Sequence, residues 1–457
     1  MPRHQLESLI SQFGLTDLAI AINRDNTAVF SAGYGHCDPA CTQAISPDTL
    51  FGVASITKLI TSISILQLQD GGQLSLDDSV SHYFPTLMAA SNPNLKVHHL
   101  LSHTSGWPGL ASRYSAVNLS APYDMSGGIT GIYSTDQGNA TKLYSLNDLV
   151  NFMNSQRFKL LAEPGRLMSY SNEGFCLLGG IIEQLTGDSW QHNVEQHVFK
   201  PLGMLNSTTG IPDSSLFTSI AQPITISNKQ RTTYGIWDAP LFYPTGGAVA
   251  SVRDLLKLMT VLSPDGPLLK SKSRAQLLAP SQAIASRPGK CFGYSLGLEY
   301  RKFNSNTIMH WHTGQRAGLS ALVAAFPEKG LSMALLSNSS DAPLTAIAHQ
   351  LITLFVSDCA PRWPPTADQS ESHPTMRNLC GHYGSDEGFS YFITRHDEEY
   401  YISVGSETSR QLLQFRTPTS GYVGQQTFAF LTTHITDPAN SEPWALAIDL
   451  RVLPRIE

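Results

Sequence analysis

Between residues 18 and 35 the chain reads LAIAINRDNTAVFSAGYG, with apolar and polar positions alternating on both sides of Asp25-Asn26. Period two around a turn dipeptide predicts a β-hairpin. The pattern changes in FGVASITKLITSISILQLQDGG (51–72), where Ile56, Leu59, Ile60, Ile63 and Leu66 recur at helical spacing and Ile65 and Leu68 add a second apolar side. That predicts a helix buried nearly all round and stopped at Gly71-Gly72. Helical patterns and loops occupy 76 to about 245, with clear helices in LNDLVNFMNSQ and GFCLLGGIIEQLTG. VRDLLKLMTVL (252–262) returns to helix, TIMHWHTG, LSALVAAFP and LSMALLSN (307–338) read as consecutive strands of one antiparallel sheet, and APLTAIAHQLITLFV closes with a helix.

Two stretches lack periodicity. Residues 108–143 are rich in Gly, Ser, Tyr and Asn, and a loop that long in a compact domain suits a lid over a site. Residues 360–374, APRWPPTADQSESHP, read as a proline-rich linker. Beyond it the texture is again period two, in Tyr400, Ile402, Val404, in Phe428, Phe430, and in Trp444, Leu446, Ile448, Leu450, Val452, which predicts a small all-β unit, a barrel or part of one. The expected domains are 1–359, with a helical insertion at about 76–245, and 375–457. A chain of 457 residues exceeds one ordinary core, in keeping with this division.

Composition narrows the function. Apolar residues at 41% and charged residues at 14% describe a globular protein, and a net charge of −6 gives no electrostatic footprint for nucleic acid or anionic membrane. The expected partner is a small-molecule or peptide substrate, with the oligomeric state open. No stretch approaches a membrane span, and the N-terminus lacks the apolar core of a secretory signal; six scattered cysteines fit reduced thiols, so the cytoplasm is the expected compartment. Cys37 and Cys41 have half of a zinc spacing without a second pair, and no metal or cofactor is expected.

Ser55 and Lys58 stand three apart at the start of the buried helix, followed by eleven residues without a formal charge. On a helix such residues share a face, and burial of the amine favours its neutral form, making Lys58 a candidate proton acceptor for the Ser55 hydroxyl. Tyr170-Ser171-Asn172 precedes a helix; the phenol and amide can serve as base and carbonyl-binding group, or Tyr170 can pack while Asn172 caps a helix beginning near Glu173. His312-Thr313-Gly314 lies on a strand, where the glycine lets another backbone approach and the next amide, that of Gln315, can donate to an oxyanion. His99 and His103 have the i, i+4 spacing of a metal pair but no neighbouring acidic base, which favours a structural role.

Taken together, Ser-x-x-Lys, Tyr-x-Asn and His-Thr-Gly, in this order, resemble the serine β-lactamase and penicillin-binding-protein superfamily, in particular the class C β-lactamases with their D-aminopeptidase, alkaline D-peptidase, esterase and thioesterase relatives. FGVASITKLIT, HHLLSHTSG, YSNEGFCLLGGIIE, FKPLGMLNST and PTGGAVASVRDLLKLM support the resemblance, which covers roughly residues 15–355; the tail after 374 is similar to a lipocalin-like appendage. It implies an α/β fold, an antiparallel sheet flanked by helices with a helical insertion, Ser55 facing the sheet edge that holds His312. It also implies roles: Ser55 as nucleophile, Lys58 and Tyr170 moving its proton, the Ser55 and Gln315 amides as oxyanion hole, Asn172 orienting the substrate, and Thr313-Gly314 lining the site.

One departure bears on substrate. The class C enzymes carry lysine where this chain has His312, and a histidine is mostly neutral above about pH 7, so selection for penicillin-like acids is weakened. The expected activity is hydrolysis of a peptide amide or ester, possibly containing a D-residue, through acyl-Ser55. Peptide cyclisation or acyl transfer with the same residues, β-lactam hydrolysis, and a non-catalytic binding protein are the alternatives.

Overall fold

The structure, a computed structural model, describes residues 3–356 and 376–456, apart from 16, 111–142, 157, 211–219, 228–229, 234–238, 287–290, 305–306, 317, 377, 406–409, 425 and 433–441. The expected linker lies outside the described residues, as does the expected lid except for its ends.

An eight-stranded antiparallel sheet runs in the order Thr27–Tyr34, Leu18–Arg24, Leu331–Ser337, Leu319–Phe326, Thr307–Arg316, Glu299–Asn304, Phe292–Tyr294, Gln282–Ala283. The first hairpin turns at Asp25 and Asn26 with φ of 49° and 58°, the left-handed conformations that a tight turn between right-twisted strands requires. Strand Leu319–Phe326 is buried along its whole length because both faces are covered. Leu322, Ala324 and Phe326 pack with the closing helix Leu344–Phe355, while Ala321, Val323 and Ala325 face the helical layer built around helix Thr57–Asp70. That helix is buried from Thr57 through Leu66 and again at Leu68, as its two-sided apolar pattern predicts.

The start of this helix is unusual in its backbone. Strand Phe51–Gly52 passes through Val53 into a 3-10 turn, Ala54–Ile56, in which Ala54 has φ 45°. A residue with a β-carbon held there costs about 1–2 kcal/mol. The turn is tied down by Val53 N donating to Ala248 O at 3.0 Å and by Ala248 N donating to Thr57 Oγ1 at 3.1 Å. Thr307–Arg316 is interior in the sheet, yet its pairing with Glu299–Asn304 ends at Trp311, so 312–316 forms a local edge against this turn.

In the C-terminal region a four-stranded sheet, Gly381–Gly384, Ser390–His396, Glu399–Val404, Arg410–Leu412, accompanies a five-stranded one, Gln414–Thr417, Ser420–Val423, Gln426–Thr432, Pro443–Ile448, Arg451–Pro454. A bridge from Tyr383 to Arg455 connects them around Tyr383, Phe415, Phe428, Phe430 and Leu446. The opposite face carries Ala429, Ala445, Ala447 and Val452 and packs on Leu161, Leu167 and Ala285. The unbroken period-two pattern through 444–452 is in fact a hairpin, because Asp449, at φ 48°, turns the chain.

Gly314 is the point of closest approach between the sheet and the Ser55 turn: a β-carbon there would lie 2.1 Å from Val53 O. Gly314→Ala is expected to cost about 2–3 kcal/mol of stability by overpacking. Thermal unfolding checks this, and a wild-type midpoint would contradict the packing described.

Candidate active site

Lys58 lies one turn beyond the Ala54 bend. Its side chain is fully buried, 0% exposed, and Nζ donates to Asn172 Oδ1 and to Thr245 O, each at 2.9 Å. The ammonium position is 4.7 Å from the ring centroid of Tyr170 and 5.5 Å from that of Phe175. Two carbonyl oxygens and two ring faces are what a cation out of water requires, since an unpaired buried charge costs several kcal/mol. Ser55, three residues earlier, is half-buried, and its hydroxyl lies beside Tyr170.

Tyr170 is 6% exposed. Three consecutive amides set its position: Ser169 N donates to His103 O at 2.9 Å, Tyr170 N to Leu450 O at 2.8 Å, and Ser171 N to His103 Nδ1 at 3.1 Å. The His103 ring lies 4.2 Å from the Tyr170 ring, and His103 itself has φ 55°. Burial pushes the Tyr170 phenol well above the ordinary tyrosine range; the Ser55 hydroxyl beside it is the largest opposing influence, followed by the Arg451 guanidinium.

His312 is 1% exposed, and its Nε2 pairs with Tyr294 Oη at 2.9 Å while Nδ1 lies 2.6 Å from Thr313 O. A carbonyl can only accept, so Nδ1 carries the proton and Nε2 accepts from the Tyr294 hydroxyl. Burial, reinforced by nearby Lys58, pulls the imidazole down to about 3, so it is neutral at physiological pH. Burial likewise pushes the Tyr294 phenol up, which keeps it a donor.

Ser55, Lys58, Tyr170, Asn172 and His312 therefore meet at one place. One alternative falls away. The helix starts at Asn172, with Ser171 as its cap accepting from Gly174 N, so Asn172 does not cap; its carbonyl oxygen holds Lys58. The exposed Gln315 side chain donates to Ser340 O, and Thr313 is half-buried. His99 and His103 do not converge: His99 Nδ1 accepts from Lys96 N within its own turn, whereas His103 grips the Tyr170 segment.

Sequence reasoning missed Tyr294, the Thr245 carbonyl, and the entire contribution from the C-terminal hairpin. That turn places Leu450 among Met168, Tyr170, Ile284 and Tyr294, and Val452 N donates to Ser169 Oγ at 3.2 Å. No spacing rule signals a tyrosine two strands away from His312 or a backbone carbonyl. The period-two pattern runs unbroken through 444–452, so the Asp449 turn that brings Leu450 to Tyr170 left no mark in the sequence.

Residues 6–357 match the protein-family model described as Beta-lactamase. A probable hydrolase, M10, from Phoma sp. is 26% identical over 347 residues, 72% of this chain; the match spans only 56% of that relative's own length. Among solved structures, that of SurE superposes with a TM-score of 0.74 at 19% identity, covering 99% of this chain and 98% of the other, and it has also been solved with D-Leu. D-amino acid amidase from Ochrobactrum anthropi SV3, complexed with L-phenylalanine, has a TM-score of 0.59 at 22% identity, covering 77% and 99%. The SurE likeness extends the fold agreement through the C-terminal sheets. With a family model matched over most of its length and the three motifs gathered around one buried lysine, the chain belongs to the β-lactamase family.

Proposed function

We propose that the protein cleaves an amide or ester of a peptide or amino acid through an acyl-Ser55 intermediate. The observation that carries this reading is the fully buried Lys58, fixed by Asn172 Oδ1 and Thr245 O against the Tyr170 ring, with Ser55 half-buried beside that ring. Nζ donates to Asn172 Oδ1 and Thr245 O, and the same amine exchanges a proton with Ser55 in this reading. The Tyr170 hydroxyl has no hydrogen bond of ordinary geometry among the described residues, although it is buried. The Ser55 hydroxyl is its neighbour and opposes the effect of burial on it, which suits a relay that handles the proton.

In the first half-reaction Ser55 Oγ forms a bond to the carbonyl carbon while its proton passes to Lys58 and Tyr170. The tetrahedral oxyanion is held by the amides of Ser55 and Gln315, the C–N or C–O bond breaks, and the leaving amine or alcohol takes the proton. Water then attacks the acyl-enzyme in the reverse sense. A neutral, buried His312 supplies no fixed cation for a substrate carboxylate, which favours acyl groups that do not depend on one and disfavours penicillin-like acids. Similarity to a D-amino acid amidase supports a D-configured acyl residue.

Incubation with D- and L-amino acid amides and p-nitrophenyl esters, read by intact mass, tests the proposal. A Ser55-linked acyl adduct, faster turnover of D than L substrates, and loss of both in Ser55→Ala are expected; full activity in Ser55→Ala rules the mechanism out.

The buried histidines also set an acid limit. His310 and His312 are held down to about 4 and about 3, chiefly by burial, and His103 is lowered well below its ordinary value. Each takes up a proton in the unfolded chain near pH 6.5 but not in the folded one, so stability is full above about 6.5 and falls as the pH drops toward the folded values. At pH 5 His310 and His312 are each expected to remove about 2 kcal/mol, and His103 acts in the same direction. Denaturant midpoints at pH 8 and pH 5 measure this, and equal midpoints would refute the neutral assignment.

A further inference from the structure

The catalytic segment around Tyr170 is completed by the C-terminal hairpin. Leu450 O accepts from the Tyr170 amide at 2.8 Å, and the next residue, Arg451, brings its guanidinium carbon to 5.1 Å from the Tyr170 ring centroid. Arg451 is fixed in that position. Its Nε and Nη2 donate to Glu387 Oε2 and Oε1, each at 2.7 Å, in a two-pronged pair whose side chains are 20% and 5% exposed, and it also lies 4.4 Å from the Phe389 ring centroid. A planar fork locked by a carboxylate is rigid in a way that a lysine is not.

The other cation at the phenol is Lys58, at 4.7 Å from the same centroid. At the strand position where the family resemblance implies a third, His312 is uncharged and committed to Tyr294. Among the described residues, the other charged or titratable groups around Tyr170 are Glu387, Glu299, His103 and Tyr294. We propose that Arg451, presented by the C-terminal β region and aimed by Glu387, is the second cation of the centre: a positioning residue that acts through Tyr170 by favouring its phenolate while the Ser55 proton moves. This rests on Tyr170 as a proton carrier in the proposed reaction. It gives the C-terminal region a part in the chemistry, since without that hairpin Tyr170 loses both the acceptor of its amide and its nearest guanidinium.

The pH dependence of kcat/KM for a p-nitrophenyl ester separates this role from mere support. Arg451→Met is expected to move the ascending limb to higher pH by about one unit, roughly a tenfold loss at pH 7, and Arg451→Lys to recover part of it. Glu387→Gln, which removes a negative charge but keeps a hydrogen-bonding partner, is expected to move the limb to lower pH. Opposite displacements support an electrostatic action through Tyr170. An unmoved limb in folded Arg451→Met, displacement of both variants in the same direction, or a loss confined to KM for carboxylate-bearing substrates overturns it. Tyr170→Phe distinguishes the levels: wild-type acylation by that variant would overturn the underlying reading, whereas an inactive Tyr170→Phe with an unmoved Arg451→Met limb overturns this inference alone.

Discussion

A lysine without any solvent exposure constrains the rest of this molecule. Lys58 must find acceptors where water is excluded, and it finds them in Asn172 Oδ1 and Thr245 O, from segments that the chain brings in from far along its length. Removing either partner would leave a buried charge under-compensated at a cost of several kcal/mol. The demand of one side chain thus fixes where helix Asn172–Thr186 begins relative to helix Thr57–Asp70, and where the short turn containing Thr245 must lie. The left-handed Ala54 turns the chain from strand Phe51–Gly52 into the helix that carries Lys58.

Around that lysine the site is assembled from surfaces that are each incomplete alone. The 307–316 strand contributes a glycine whose lack of a β-carbon lets Val53 approach, and a histidine kept neutral by burial and by Tyr294. The His103 turn contributes a backbone carbonyl and a ring nitrogen to the two amides flanking Tyr170's own. The C-terminal hairpin contributes the third acceptor and a locked guanidinium. Because the alanine-rich face behind that hairpin is itself buried, the hairpin is held at the site by packing as well as by hydrogen bonds.

Much of this was legible in the sequence where the physics is local. The Asp25-Asn26 turn, the all-round apolar helix after Ser55, and the three strands between 307 and 338 follow from periodicity, and the close approach at Gly314 follows from the absence of a β-carbon. Legibility ended where partners are distant. Asn172 was read as either a cap or a substrate group, and its bond to Lys58 depends on how two helices dock. Tyr294 and Arg451 carry no motif; their importance arises from which atoms lie beside His312 and Tyr170 in space. His103 had a recognisable spacing with His99, but the two rings bond in different directions, so spacing alone pointed toward the wrong chemistry.

The central claim is that Lys58 is held in the interior to move the Ser55 proton. The most direct measurement is the second-order rate of Ser55 modification by a fluorophosphonate, mapped by peptide mass, in wild-type protein and in Lys58→Met with its fold verified by circular dichroism. The account expects the wild type to be modified at Ser55 and the variant to react at least about 1,000-fold more slowly, the order of a general-base contribution. Modification of Ser55 at the wild-type rate in folded Lys58→Met would contradict it.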